Sequence, residues 1–176
     1  MSKMRIAMLA APLALAMPVS GANAQILGPD AARCAAGDGP ALLVRVTGFK
    51  NRGGTVRVRT FHGGKPSSWF DKKQALKRIA VPVPASGAAE ICMAVPTAGG
   101  YVVDIRHDAN GNGDTDRADG AGVSGNPNIS LVNFFLGKKP PASQVVVNAG
   151  QGVATVPIVV KYIQGGSFKP VQTARR

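Results

Sequence analysis

Aromatic residues, acidic residues and cysteines are all scarce in this chain, and each shortage removes a class of explanation. Phe, Trp and Tyr make up 5% of the 176 residues. That is too few to interleave with the basic residues as base-stacking platforms, so nucleic-acid binding is not predicted. Cys34 and Cys92 are the only cysteines, and no close Cys/His spacing accompanies them, which argues against a metal centre built on thiolates. After residue 24 no apolar run is long enough for a transmembrane helix. No internal repeat is present. Acids number nine against 21 Lys and Arg, a formal charge of +12. The basic residues are spread from Arg45 to Arg176 and read as a solvated surface favouring anionic envelope components or glycans.

What is present begins with a targeting segment. Lys3 and Arg5 form a basic start, Ile6 to Val19 an apolar run, and Ala22-Asn23-Ala24 a small-residue cleavage site before Gln25. Residues 1–24 are therefore expected to be a signal peptide cleaved between Ala24 and Gln25, which places the protein in the periplasm or outside the cell. No cysteine follows the run directly, so lipid attachment is not expected. The segment holds two basic residues and no acids, so its removal leaves 152 residues with a charge of +10. Export places Cys34 and Cys92 where disulfides persist, and they are expected to be bonded. A closure of that length is worth roughly 4 kcal/mol on the chain-entropy model.

The mature chain reads as short alternating strands. Residues 25–40 are small, polar and Gly/Pro-punctuated and suggest an arm pinned by Cys34. From Ala41 to Phe49, Val44 and Val46 face one way and Arg45 and Thr47 the other; from Thr55 to Phe61, Val56 and Val58 oppose Arg57 and Arg59. The Asn51-Arg52-Gly53-Gly54 turn between them predicts a hairpin. Ser68 is a candidate N-cap for a short helix through Arg78 with Trp69, Phe70 and Leu76 on its buried side. Ile79–Pro84 suits an edge strand or an extended connection. Ala88–Val95, Tyr101–His107, Gln144–Asn148 and Gly152–Tyr162 complete the strands, with Val156, Ile158, Val160 and Tyr162 on one face. The segment from Ile129 to Leu136 fits a strand, a helical turn or an exposed lip. Residues 165–176 read as a flexible basic tail. The pattern predicts an all-β, antiparallel immunoglobulin-like or transthyretin-like sandwich over residues 41–164, with about seven strands and one short helix.

Five of the nine acids fall between Asp104 and Asp119. Counting Asp108 as position 1 of a twelve-residue loop places Asn110, Asn112, Asp114, Asp116 and Asp119 at positions 3, 5, 7, 9 and 12, with Gly113 at 6. That is the order of oxygen donors in an EF-hand calcium loop, whose glycine permits the sharp turn. Asp108, Asn110, Asn112, Asp114, Asp116 and Asp119 are thus the expected calcium ligands, on a strand rather than between helices. Asp in place of Glu at position 12 and neutral Asn at 3 and 5 point to the weak range of ~10⁻⁴–10⁻³ M. Magnesium, which demands stricter geometry, is the second candidate. The Gly120-x-Gly122-x-x-Gly125 string matches a dinucleotide fingerprint by letter alone, because Asn126-Pro127 signals a turn where a helix should open.

Gly100-Tyr101, His107-Asp108-x-Asn110-x-Asn112-Gly113-x-x-Asp116, Gly122-x-Ser124-x-Asn126 and Pro140-Pro141 together resemble a family of exported bacterial domains of unknown function. The resemblance covers most of Ala41 to Tyr162, and implies an immunoglobulin- or transthyretin-like sandwich with no established activity. The chain departs from the pattern after the loop, where Val123 stands in place of an aromatic residue. Two functional readings follow. The first is a non-catalytic, calcium-stabilised envelope domain. The second is a metal-dependent hydrolase or redox protein using His62, His107 and the acidic loop, with a Ser124/His107/Asp104 relay as the catalytic form one can write down.

Overall fold

Period-two alternation builds two packed sheets in the computed structural model, which describes residues 25–130, 132–133 and 136–171. The expected signal peptide at 1–24 and the last five residues lie outside that range. The first strands are β1 (Ile26–Leu27), β2 (Ala41–Thr47), β3 (Thr55–His62), β4 (Lys77–Pro82), β5 (Ala89–Ala94) and β6 (Gly99–Asp108). They are followed by β7 (Gly120–Val123), β8 (Val147–Ala149), β9 (Val153–Val159), β10 (Lys161–Gln164) and β11 (Ser167–Pro170). One sheet runs β1-β5-β2-β9; the other runs β11-β10-β7-β6-β3-β4, with β8 also on β6. Most pairings are antiparallel, but β1–β5 and β2–β9 are parallel. The all-β sandwich expected from the pattern is the observed architecture.

The core lies between the sheets. Leu42, Val44, Val46, Ile91, Met93, Val156 and Ile158 from the smaller sheet meet Val56, Val58, Tyr101, Val103 and Ile105 from the larger. All are buried, as alternation along each strand requires. The predicted common face of Val156, Ile158, Val160 and Tyr162 is real. The single predicted strand that carries it is not: β9 belongs to the smaller sheet and β10 to the larger, with Val160 at the crossing. Alternation survives because both strands turn the same side to the core. Pro157 sits in β9, an edge strand, where its missing N–H costs no ladder bond.

Several local expectations are corrected. β2 and β3 are not a hairpin; they lie in different sheets, joined by an arch over residues 48–54. Gly54 closes the arch at φ +68°, where a Cβ would lie 1.8 Å from the Asp108 carbonyl oxygen. No helix spans Ser68–Arg78. A single 3₁₀ turn at Pro66–Ser68 leads through loop into β4, and Leu76 is exposed rather than buried. The covering helices are elsewhere, at Ala31–Ala36 and Ala142–Val145. The second replaces the front of the strand expected over Gln144–Asn148. Residues 165–176 are not all tail, since Ser167–Pro170 pairs along β10. The expected arm contains β1 and a helix, held by an Asp30–Lys77 ion pair and by Ala94 N–H donating to Asp30 at 2.8 Å.

Both sheets have covered outer faces. On the smaller sheet the helix Ala31–Ala36 is bonded to β5 through Cys34–Cys92, with a Cα–Cα distance of 5.9 Å, over Ala41 and Leu43. On the larger sheet Phe61 and Val102 are roofed by Trp69 and Val145, and Trp69 Nε1 donates to the His62 carbonyl at 2.9 Å. β7, which the sequence reading assigned to no element, is a strand whose side chains are reduced on one face for a packing reason. A Cβ on Gly120 would lie 2.4 Å from Val160 and 2.5 Å from Tyr162.

Two outcomes follow. Replacing both cysteines by alanine is expected to lower the urea unfolding free energy by about 2–4 kcal/mol, with the wild type matching the variant only under reducing conditions. Gly120→Ala is expected to cost about 1–3 kcal/mol by overpacking, read as a lower urea midpoint at unchanged slope.

Candidate functional site

Pairing of β6 with β7 brings the two ends of the acidic loop together, since His107 lies opposite Gly120. Asp108 and Asp119 are both buried. Asp108 Oδ2 accepts the Gly113 N–H at 2.9 Å, and Asp119 Oδ1 accepts the Ala109 N–H at 3.2 Å. Their other oxygens, Asp108 Oδ1 and Asp119 Oδ2, are buried without a hydrogen-bond partner among the described residues. Arg106 reaches towards both: Nη2 is 3.6 Å from Asp108 Oδ2 and Nε 3.9 Å from Asp119 Oδ2. The same guanidinium donates to Thr115 Oγ1 at 2.6 Å and to the Gly113 carbonyl at 2.9 Å. An arginine at the root of the loop thus opposes the carboxylate repulsion that the sequence alone left to a metal.

The remaining predicted ligands form a separate network. Asn110 and Asn112 Nδ2 donate to Asp116 Oδ2 at 2.9 and 2.8 Å, and the Ala118 N–H donates to Asp116 Oδ1 at 2.6 Å. These bonds, the Asn110 amide first, hold the Asp116 carboxyl below its ordinary value. Asn112 Oδ1 accepts the Asp114 N–H, and the Asp114 side chain is exposed. The six residues therefore share one loop but divide into an Asp108–Asp119 pair, an Asn110–Asn112–Asp116 network and an exposed Asp114. Among the described residues no three His, Cys, Asp or Glu side chains converge as a metal-holding group.

His107 lies on the other face of β6, fully buried. Nε2 is 3.0 Å from the Gly53 carbonyl, which can only accept, so Nε2 carries the proton. Burial holds the imidazole below its ordinary value, outweighing the opposing Gly53 bond, so the ring is neutral. Nδ1 then accepts from the Tyr162 hydroxyl at 2.5 Å, which itself accepts the Lys50 N–H at 3.1 Å. The ring ties the arch to β6 and β10 and sets the loop root.

The histidine chemistry expected as the second reading is not assembled. His62 pairs with Tyr101, six residues along β6 from His107, about 20 Å at strand spacing. Ser124 Oγ donates to the Val145 carbonyl and accepts the Val103 N–H at 3.1 Å. Asp104 forms a two-pronged pair with Arg59, Nε to Oδ1 at 2.9 Å, on the face of β6 opposite His107. The three relay groups are committed to three different partners.

A feature missed from sequence lies beside the loop. Arg57 and Arg59, placed outward by alternation, do not meet open solvent but floor a cleft of about 860 Å³ on the outer face of the larger sheet. The β3–β6 register sets Arg57 opposite Arg106 and Arg59 opposite Asp104. Trp69 and Phe70, read as core filler, form part of its wall. The Arg-x-Arg spacing on β3 was visible in the sequence, but its partner strand was not.

The model of a bacterial family described as "Uncharacterized protein conserved in bacteria (DUF2141)" matches residues 44–156, from β2 to β9. No curated protein and no solved structure matches the chain. Among the described residues no helix is long and apolar enough to cross a membrane.

Neutral burial of His107 makes stability depend on pH. The unfolded chain takes up a proton near the ordinary value of 6.5 and the folded ring resists it, so the contribution is complete above that value and falls as pH drops below it. Urea midpoints at pH 7.5 and 5.5 are expected to differ in the wild type and to differ less in His107→Gln.

Proposed function

The chain belongs to the DUF2141 family of bacterial proteins, and from that premise we propose that it is an exported, non-catalytic binding domain whose 108–119 loop takes a hard divalent cation, calcium foremost. The supporting observation is the pair of buried carboxylate oxygens, Asp108 Oδ1 and Asp119 Oδ2, left without hydrogen-bond donors. Unsatisfied buried charge is costly, and Arg106 at 3.6 and 3.9 Å offsets it only through loose contacts. An all-oxygen donor set suits calcium and not a soft metal. Asp108 and Asp119 would hold the ion, with Asp114, Asp116 and the amides of Asn110 and Asn112 as further oxygens. Bound calcium would neutralise the one acidic region of a basic protein and fix the connection between β6 and β7. Its surface charge suits anionic envelope components or glycans as partners. The non-catalytic reading is supported by the separate commitments of Ser124, His107 and Asp104.

Calcium at about 10 mM is expected to stabilise the protein by roughly 1.4–2.7 kcal/mol if its affinity lies in the ~10⁻⁴–10⁻³ M range, or about 3–10 °C in Tm. Asp119→Asn is expected to abolish that rise while remaining folded. Identical melting with calcium and with EDTA, together with no calorimetric heat, refutes the cation.

A further inference from the structure

The cleft on the outer face of the larger sheet adjoins the acidic loop, whose Asp116 and Asp119 are among its lining residues, and it extends over the β3 arginines that the loop does not engage. Seven Lys and Arg and four Asp line it, and two of those acids, Asp104 and Asp119, are engaged by Arg59 and Arg106. Of the five other basic residues, Arg57 is the one that stands on the β3 floor. Among the described residues no carboxylate pairs with it, and its Nε is buried without a hydrogen-bond partner. Cross-strand pairing places it opposite Arg106, a like-charge contact that costs stability. Burial first, then Arg59, bring its guanidinium down to about 10, with Asp104 opposing the fall and Arg106 adding to it. Trp69, Phe70 and Val123, which pack over Phe61 and Val102 further along the same strands, contribute apolar wall to the same cleft, and Phe70 is held at φ +68°, an unusual conformation for a bulky residue. The volume is that of a small-molecule site.

We infer that this cleft binds a small amphipathic anion, with its carboxylate or phosphate head on Arg57 and its apolar body against Trp69, Phe70 and Val123. A guanidinium offers planar, paired donors to either head group. The inference rests on the reading of the domain as one that binds anionic partners and gives that reading a site; it does not depend on calcium. Both a free amphiphile and a lipid head group supply the required chemistry.

Trp69 is the sole tryptophan and lies in the wall, so its fluorescence reports occupancy directly. The mature protein is titrated with laurate, dodecyl phosphate, dodecanol, acetate and phosphatidylglycerol vesicles, each with calcium and with EDTA. Saturable fluorescence change and heat are expected with laurate and dodecyl phosphate. Dodecanol and acetate are each expected to bind at least tenfold more weakly, since each lacks one half of the ligand. Arg57→Gln is expected to lose tenfold or more for laurate while dodecanol is unchanged, with circular dichroism melts reporting its fold. Vesicle binding that needs Arg57 assigns the head group to a lipid; its absence beside laurate binding assigns a free amphiphile. No saturable response to laurate or dodecyl phosphate at 1 mM, equal affinity for dodecanol, or wild-type affinity in a folded Arg57→Gln overturns the site. The dodecanol and acetate arms decide the matter on the wild type even if the variant fails to fold. A protein that ignores laurate yet is retained on a sulfated-dextran resin at low salt loses the cleft and keeps the broader anionic reading.

Discussion

Alternation along β6 is the constraint on which the rest of the molecule depends. Tyr101, Val103, Ile105 and His107 face the core between the sheets, while Val102, Asp104, Arg106 and Asp108 face the other side under the loops that cover it. A strand covered on both faces normally carries apolar residues throughout. Here the second face carries charge, and each charge needs a partner within the fold. Arg59 answers Asp104 across the β3–β6 ladder, and Arg106 answers Asp108 and Asp119 where the strand enters the loop. The acidic loop and the arginine floor of the cleft are two ends of one electrostatic arrangement, separated by two residues of strand.

That arrangement changes what the acid-rich sequence means. Oxygens spaced at every second residue suggest a cation among them, and a folded chain has ways of its own to supply positive charge. Arg106, the amides of Asn110 and Asn112, and the backbone N–H groups of Gly113 and Ala118 provide much of it. They leave two carboxylate oxygens at the loop root without donors. On the adjoining strand the imbalance has the opposite sign: among the described residues no carboxylate pairs with Arg57, whose Nε is buried without a hydrogen-bond partner. Local pairing is incomplete at both places, and incomplete pairing of buried charge is where a protein's affinity for ions and charged ligands resides.

The scaffold holds these groups still by tying its sheets together at several points. The chain crosses from β9 to β10 without turning its apolar face away from the core, so one run of Val156, Ile158, Val160 and Tyr162 stitches both sheets. Tyr162 also holds His107 and the arch at Lys50 through its hydroxyl. The disulfide acts on the far side, clamping the helix Ala31–Ala36 to the smaller sheet. The glycines of β7 belong to the same design, since side chains there would displace Val160 and Tyr162.

The inward set of valines and isoleucines and the Cys34–Cys92 bond were legible in the sequence, because alternation and thiol count are local properties. Strand partnership was not local. Val44–Val46 and Val56–Val58 alternate identically whether their strands pair with each other or with β9 and β6, so an arch between sheets looked like a hairpin. Ser68 and the aromatic pair after it read as a helix because capping and apolar spacing carry no record of the sheet face they cover. The sequence by itself determined which side of each strand is apolar and where the acids cluster. Only the tertiary structure decided that Arg57 stands opposite Arg106, that Arg106 reaches the acidic loop, and that His107 is turned away from both. Register between distant strands is set by packing across the whole sandwich, and no residue announces its cross-strand neighbour.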